Sequence, residues 1–268
     1  MEETKISVVI NTYNAQEHLA EVLETVKSFD EVLICDMESD DDTLKIARQY
    51  NCRIVTFPRG KHSIVEPARE FAIHEATYPW VLVVDADELI TPELHDYLYE
   101  HIRKDSPADG LRIPRKNHFM HRFMHGYYPD PNLRFFRRDV TTWPSIIHTQ
   151  PKVTGNVEKI PSGRKELAIV HLADETIAQR IEKINRYTEY EIDKRSSKHY
   201  GVAAFIHRPM TRFLKCYLLK GGFRDGVPGL IYALLESYYQ VVMLSKIYER
   251  RHRKTTVCET GNESISQS

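Results

Sequence analysis

The stretch Trp80-Val81-Leu82-Val83-Val84-Asp85-Ala86-Asp87-Glu88 decides the fold. Its first five residues are apolar and mostly β-branched, which is typical of a strand buried on both faces of a parallel sheet. The carboxylates follow at the carboxyl end of that strand, where open α/β sheets bind ligands. Two carboxylates one residue apart suit a hard cation such as Mg2+ or Mn2+, which keeps positions for substrate phosphates. A solvated acidic turn has the same residues, so this stretch alone leaves both interpretations open.

Upstream of this strand, the chain alternates between strand and helix patterns. Apolar runs predict strands at Ile6–Ile10, Glu31–Cys35 and Arg53–Phe57, and helical spacing recurs between them. The alternation predicts an α/β fold with a mostly parallel sheet and right-handed crossovers. Asn14 is expected to cap the first helix, with Glu17 completing a capping box.

The second half of the chain has a different pattern of predicted elements, with strands followed by helices. Further strands are predicted at Leu111–Lys116, Leu133–Arg138 and Ile169–Leu172, and the chain becomes helical from about Thr176. We therefore expect a catalytic and nucleotide-binding domain over residues 1–172, a helical region over residues 173–254 and a disordered tail over residues 255–268.

The last predicted helix, about Leu230–Tyr248, is followed by the basic run Arg250-Arg251-His252-Arg253-Lys254. One interpretation is a peripheral contact with anionic lipid at the inner face of the cytoplasmic membrane. The other, slightly favoured, is a helix packed on the catalytic domain with a solvated basic end.

Composition narrows the class of protein. The chain has 268 residues, 41% of them hydrophobic and 28% charged, which is ordinary for a soluble globular protein. The net charge of -1 argues against a nucleic-acid binder. Four cysteines without metal-ligand spacing fit a reducing, cytoplasmic compartment. An acidic N-terminus predicts no signal peptide, and no stretch reaches the ~20 apolar residues of a membrane span.

Polar side chains follow three of the predicted strands. They are Thr12, Tyr13 and Asn14 after the first, Asp36 after the second, and Asp85 with Asp87 after the fourth. In a parallel sheet these ends meet at one edge. An aromatic ring that stacks on a base, a carboxylate that accepts from a base N–H and a metal-binding acid pair describe a nucleoside-diphosphate site.

Each of these residues also has a structural explanation. Tyr13 could pack against its own helix, and Asp36 could cap the helix that follows it. Arg69 could reach a diphosphate, or it could be a surface charge beside Glu70. Glycine-rich dinucleotide and Walker patterns are absent from the sequence, which weakens dehydrogenase and P-loop interpretations.

Several of these motifs resemble the inverting family 2 glycosyltransferases, which have the GT-A fold. They are Ile6–Asn14, Asp36-x-x-Ser39, Arg69 and Asp85-Ala86-Asp87-Glu88. Later segments are similar to a bacterial subgroup that includes lipopolysaccharide core β-glucosyltransferases. Those segments are Tyr128-Pro129-Asp130, Leu133–Arg138, Ile147-His148, Lys183–Tyr187 and Lys220–Gly226.

The resemblance implies inverting transfer of a sugar from a nucleotide-sugar, with a UDP-sugar favoured, to a glycan or lipid-linked acceptor hydroxyl. Thr12, Tyr13 and Asp36 would hold the nucleobase, with Asn14 beside them. Asp85 would contact ribose or metal. Asp87 would ligate Mg2+ or Mn2+, which neutralises the charge growing on the leaving diphosphate. His171 would approach the metal or the diphosphate, although a core histidine is an equally good explanation.

Inversion also needs a base that deprotonates the acceptor. In much of the subgroup an acid follows the histidine that corresponds to His148, but here that position is Thr149. Either Asp130 or His148 would take the role, with Asp130 weakly favoured. Two alternatives stay open: a degenerate glycosyltransferase that binds without turnover, and a nucleotidyltransferase, although the glycine-rich N-terminal loop of that class is missing.

Overall fold

A computed structural model describes residues 4–60, 65–144, 150–172, 174–195 and 200–263, without the side chains of residues 193, 194 and 253–263. The contacts divide the chain into two compact units. The first comprises Met1–Asn117 and Tyr128–Ala173, and the second comprises His118–Tyr127 and Asp174–Ser268.

The described residues contain thirteen strands and seven α-helices. The strands are β1 (Ile6–Thr12), β2 (Glu31–Asp36), β3 (Arg53–Thr56), β4 (Trp80–Asp85), β5 (Glu88–Leu89), β6 (Gly110–Ile113), β7 (Arg115–Phe119), β8 (Arg122–Phe123), β9 (Asn132–Arg137), β10 (Thr141–Thr142), β11 (Lys152–Val153), β12 (Val157–Lys159) and β13 (Ile169–His171). The helices are α1 (Leu19–Val26), α2 (Thr43–Gln49), α3 (Glu66–Glu75), α4 (Pro92–Ile102), α5 (Ile177–Arg195), α6 (Val202–Leu214) and α7 (Gly226–Glu263).

The first unit is built on a seven-stranded sheet with the order β12-β6-β9-β4-β1-β2-β3. Strands β4, β1, β2 and β3 are parallel, whereas β9 runs antiparallel to both β4 and β6. Strands β1 and β4 alternate between two apolar clusters. Val8 and Leu82 pack on one side with α1 and α4, and Val9 and Val83 pack on the other side with α3. Burial on both faces explains the unbroken apolar run before Asp85.

Proline 114 divides what the sequence predicts as one strand, Leu111–Lys116. Strand β6 ends at Ile113 and pairs with β9, whereas β7 begins at Arg115 and pairs in parallel with β13. Proline has no backbone N–H to donate to a sheet, so a ladder breaks there readily. In turn, β13 pairs with β5, which places His171 opposite Glu88.

The predicted capping role of Asn14 is wrong. Helix α1 begins at Leu19, after His18, with no side-chain cap. Asn14 has a φ of 48°, in the left-handed region that asparagine tolerates better than most residues. Its backbone N–H and side chain bond to the loop after β2 instead. By contrast, Thr91 caps α4, because its hydroxyl accepts from the backbone N–H of Leu94 at 3.1 Å.

In the second unit, α7 packs against α5 and α6. Its small core contains Ile192, Met243 and Ile247. Glu236 on α7 accepts from Arg180 of α5 at 2.7 Å and from Nε of Arg212 of α6 at 3.0 Å. This ion-pair cluster ties the three helices together.

Of the described residues, one helical segment, Gly222–His252, is long and apolar enough to cross a membrane by length and composition. The sequence patterns do not predict such a segment. Only 22% of its apolar window is buried inside the protein. A membrane span and a surface helix can share this length and composition, and they differ in the contacts that their polar residues make.

Candidate active site

Three parallel strands end side by side at one edge of the main sheet. In the register, Thr12 lies opposite Asp36, and Asn11 lies opposite Asp85. The predicted meeting of these strand ends is confirmed. Because ligands bind at the carboxyl edge of parallel sheets, this edge is the candidate active site.

The turn after β2 is organised by Asp36. Its Oδ1 accepts from the hydroxyls of Thr12 at 2.9 Å and Ser39 at 2.6 Å, and its Oδ2 accepts from the backbone N–H of Ser39 at 2.9 Å. Asp36 is buried. The carboxylate therefore fixes the distance between the ends of β1 and β2. Its Oδ2 keeps acceptor capacity, because it has two lone pairs and accepts one of these hydrogen bonds.

Asn14 and Tyr13 lie at the rim of this turn. Asn14 donates from its backbone N–H to Ser39 Oγ at 3.0 Å, and its side chain exchanges two hydrogen bonds with Asp40. Tyr13 is 42% exposed, and the guanidinium of Arg59 lies 3.7 Å from the centre of its ring. A planar cationic group thus stacks on one face of this exposed ring.

Asp85 lies between two arginines. Its Oδ1 accepts from Arg69 at 2.5 Å, and its Oδ2 accepts from Arg134 at 2.5 Å. Burial alone would raise the pKa of Asp85, but the charges of Arg134 and Arg69 outweigh burial and hold that pKa well below its usual range. The Nε of Arg69 is buried without a hydrogen-bond partner among the described residues. This leaves polar capacity beside Asp85.

A chain of charges continues from Asp85 through the buried Glu88. Glu88 accepts from Arg134 at 3.3 Å and from Arg115 at 3.1 Å, and its other oxygen accepts from the backbone N–H of Asp85 at 3.0 Å. Arg115 reaches Asp130 Oδ2 with two donors, at 3.0 and 2.8 Å. Burial would lower the pKa of Arg115, but Glu88 and Asp130 raise it. The alternating charges compensate one another in a poorly solvated place.

Asn117 links Asp130 to the histidine after β13. Its side-chain nitrogen donates to Asp130 Oδ2 at 3.0 Å, and its oxygen lies 3.1 Å from Nδ1 of His171. A carbonyl oxygen at Nδ1 favours a proton on that nitrogen, which leaves Nε2 as the lone-pair donor. Nε2 lies 3.4 Å from Asp87 Oδ2. Asp87 and His171 therefore present an oxygen and a nitrogen ligand to the same point.

This pair fits a loosely held divalent cation. Among the described residues, no group of three or more histidine, cysteine, aspartate or glutamate side chains could hold a metal ion. Mg2+ is commonly bound by one or two carboxylates together with waters and substrate phosphates, so a small protein ligand set is compatible with it. The hydrogen bond from Asn117 to His171 is the kind of outer contact that orients a metal-binding histidine.

The structure brings together every site residue that the sequence predicts, except one that lies outside the described residues. His148 lies in the segment 145–149, as does Thr149, so the structure gives neither a position. The sequence patterns do not predict that Glu88, Arg115, Asn117 and Arg134 hold the site residues in place. One sequence feature could have identified Arg134, which lies in the otherwise apolar stretch Leu133–Phe136. An arginine that is buried in a core needs a charged partner.

Comparison with known proteins agrees with this geometry. Residues 7–157, more than half of the chain, match the family described as Glycosyl transferase family 2. The chain belongs to glycosyl transferase family 2. The resemblance found in its motifs is confirmed. The chain is 25% identical over 264 residues to the lipopolysaccharide core biosynthesis glycosyltransferase LpsC of Rhizobium meliloti (strain 1021). The match covers 93% of this chain and 94% of the relative.

Other relatives extend over almost the full length. An uncharacterized glycosyltransferase of Rickettsia typhi (strain ATCC VR-144 / Wilmington) is 23% identical over 270 residues, which cover 96% of this chain and 91% of the relative. The mannosyltransferase PcManGT from Pyrobaculum calidifontis has a similar structure, with a TM-score of 0.54 at 13% identity, and the match covers 91% of this chain and 87% of that one. The chain described here therefore has the GT-A fold that its sequence predicts.

Proposed function

We propose that this glycosyltransferase moves a hexose from a nucleotide-sugar to an acceptor hydroxyl, with inversion, in the synthesis of a cell-surface polysaccharide or lipopolysaccharide core. The observation that carries the proposal is the meeting of Tyr13, Asp36, Asp85 and Asp87 at one carboxyl edge of the parallel sheet. The relative LpsC is described as acting in lipopolysaccharide core biosynthesis, which motivates a glycan or lipid-linked acceptor. Family membership favours glycosyl transfer over nucleotidyl transfer.

The donor is held at the rim between β1 and β2. The base stacks on Tyr13 in the place that Arg59 now covers at 3.7 Å, and the base N–H groups reach Thr12 and Asp36. Asn14 keeps this rim in shape through its bonds to the β2 loop. Asp85 and Arg69 lie one strand further on, at the place for ribose and diphosphate. We propose a UDP-sugar as the donor.

Mg2+ or Mn2+ would be held by Asp87 and His171, and when bound it would offset the negative charge that develops on the leaving diphosphate. The 3.4 Å separation of Asp87 Oδ2 and His171 Nε2 supports this pair. PcManGT is described in complex with GDP-Man and Mn2+, so a test of donors should include both uridine and guanosine nucleotides.

A panel of nucleotide-sugars tests the donor assignment. We expect one UDP-hexose, with Mn2+, to raise the midpoint of thermal unfolding, because a ligand that binds only the folded state stabilises it by mass action. Release of the nucleoside diphosphate, with and without an acceptor, separates an enzyme from a degenerate binder. Stabilisation without release would favour the binder. If no nucleotide-sugar shifted the midpoint, the proposed function would be wrong.

The acceptor base is proposed to be Asp130, with His148 as the alternative. The described contacts of Asp130 with Arg115 and Asn117 all use Oδ2. Oδ1 is then the atom that would take the acceptor proton. We expect Asp130→Asn to lower kcat by about 10²–10⁴-fold, the usual contribution of a general base, with an unchanged KM for the donor. His148→Gln is the matched variant. A normal kcat for Asp130→Asn with a large loss for His148→Gln would assign the base to His148.

We also propose a domain organisation and a cellular location for the protein. Residues 1–172 would act as the catalytic domain and residues 173–254 as a helical extension. The predicted disordered tail over residues 255–268 is wrong for residues 255–263, because α7 continues to Glu263. The protein would work in the cytoplasm, with a peripheral contact to the inner face of the cytoplasmic membrane through its C-terminal helix. Nucleic acid is not a proposed partner.

A further inference from the structure

The second unit presents a row of exposed apolar side chains along α6 and into the turns that follow it. Val202, Ile206, Met210 and Leu214 recur every four residues, so they lie on one side of the helix. Leu219 and Phe223, in the turns between α6 and α7, are exposed as well. Val202 is 82% exposed and Leu219 is 84% exposed. We call these six residues the apolar face. Large exposed apolar patches mark interaction sites in soluble proteins.

The segment that carries the apolar face is basic throughout. Residues 201–224 contain Arg208, Arg212, Lys215, Lys220 and Arg224, and they contain no aspartate or glutamate. The next acid along the chain, Asp225, is buried and accepts from the backbone N–H groups of His125 at 2.9 Å and Gly126 at 2.9 Å. Lys215, Lys220 and Arg224 are exposed. An apolar surface with basic residues and without exposed carboxylates complements an anionic lipid surface.

An apolar pocket adjoins the start of the face. It has a volume of about 550 Å3 and is lined by Val202 and Phe205 from α6 and by Leu244, Ile247 and Tyr248 from α7. Apolar side chains thus continue inward from the exposed row at Val202. An apolar pocket of this size beside the exposed row can accommodate an acyl chain.

The contacts of α7 argue against a helix that crosses a membrane. Glu236 pairs with Arg180 at 2.7 Å, and Lys246 donates to the backbone oxygen of Asn185 at 2.7 Å. Both partners belong to α5, which is rich in charged residues. If α7 crossed the hydrocarbon, it would leave these contacts or draw a charged helix into lipid, and both are costly. The apolar composition of α7 therefore does not indicate a membrane span.

We propose that the apolar face inserts into the interface of a membrane that contains anionic phospholipid, with Lys215, Lys220 and Arg224 on the headgroups. The occupant is a lipid surface and not a second copy of the chain, because two copies would bring like charges together. This inference goes beyond the proposed function and does not depend on the donor or the acceptor. It adds α6 and the following turns to the membrane contact that is proposed for the C-terminal helix.

Vesicle flotation with the full chain tests the proposal. We expect binding to vesicles of phosphatidylcholine with phosphatidylglycerol, and much weaker binding to phosphatidylcholine alone. Leu219→Asp combined with Phe223→Asp should reduce binding at least about tenfold, because both apolar side chains no longer enter the interface. The control is Ile181→Asp combined with Tyr190→Asp on α5, which are 42% and 43% exposed and lie outside the face. The control should bind like the unchanged chain, and all variants should keep a cooperative thermal transition.

A charge series tests the electrostatic part. Lys215→Gln and Lys220→Gln should each weaken binding by about fivefold, since each cation near an anionic surface contributes about that factor. Salt at ~1 M, where the Debye length is about 3 Å, should remove this difference. Equal vesicle binding by the unchanged chain and the Leu219/Phe223 variant would overturn the proposal. A second result would also overturn the proposal. In it, neither protein binds vesicles, and sedimentation analysis shows that the unchanged chain is a dimer whereas the Leu219/Phe223 variant is a monomer.

Discussion

Asp87→Asn is expected to abolish the Mn2+-dependent part of nucleotide-sugar binding while the fold stays intact. Asparagine keeps the shape of the side chain but removes the charge that a hard cation prefers. Asp87 is partly exposed and lies 3.4 Å from His171 Nε2, so the change does not strand a buried partner. Calorimetry with UDP, with and without Mn2+, measures the effect directly. We expect the metal-dependent affinity to fall by at least about a hundredfold, because even outer-shell changes cost 10–100-fold.

Two matched variants separate a metal ligand from a general loss of charge. Asp139→Asn removes an exposed carboxylate after β9, whose partner is Arg137, and should leave Mn2+-dependent binding unchanged. Asn117→Ala removes the contact at His171 Nδ1 and should weaken binding by about 10–100-fold, less than Asp87→Asn. If Asp87→Asn kept the full gain from Mn2+, the metal would be held elsewhere.

The centre of the fold is readable from sequence because burial on both faces leaves a strong local signal. Trp80–Val84 is apolar throughout, and Ile6–Ile10 is apolar except for the buried Ser7. These runs become the neighbouring parallel strands β1 and β4. Their polar ends then follow from topology alone. Local signals fail where a residue has a partner far away in sequence. Asn14 reads as a helix cap, but its bonds go to Ser39 and Asp40, about 25 residues later.

The residues at the strand ends could be predicted, whereas the charges that hold them could not. Glu88 follows β4, Arg115 begins β7 and Arg134 lies in β9. They meet only because β9 inserts antiparallel between β4 and β6, and because Pro114 diverts β7 away from the main sheet. No periodicity in the sequence encodes which strand lies beside which. Asp85 therefore reads as a ligand for metal or ribose, and its two arginine partners become visible only in the fold.

The ion-pair chain behind Asp85 leads to a second large expected effect: Arg134→Met should destabilise the protein by about 3–5 kcal/mol, the usual cost of breaking a buried ion pair. Methionine keeps much of the stem volume, so the loss reports mainly on charge. Among the ion pairs of the described residues, the variant would leave Arg115 as the partner of the buried Glu88 and Arg69 as the partner of Asp85. Urea unfolding at neutral pH measures the change. The control is Arg137→Met on the same strand, whose pair with Asp139 is exposed and should contribute less than about 1 kcal/mol.

The pH dependence of this deficit identifies its cause. In the unchanged protein the pKa of Asp85 is held well below its usual range by Arg134 and Arg69 against the effect of burial. A depressed folded-state pKa contributes stability that is present above the unfolded value, about 3.9, and is lost as pH falls towards the folded value. Arg134→Met removes most of that contribution, so the difference between variant and parent should be largest near pH 7 and should shrink below about pH 4. A deficit that stayed constant across this range would indicate lost packing instead, and the charges behind Asp85 would then have no part in holding the candidate active site.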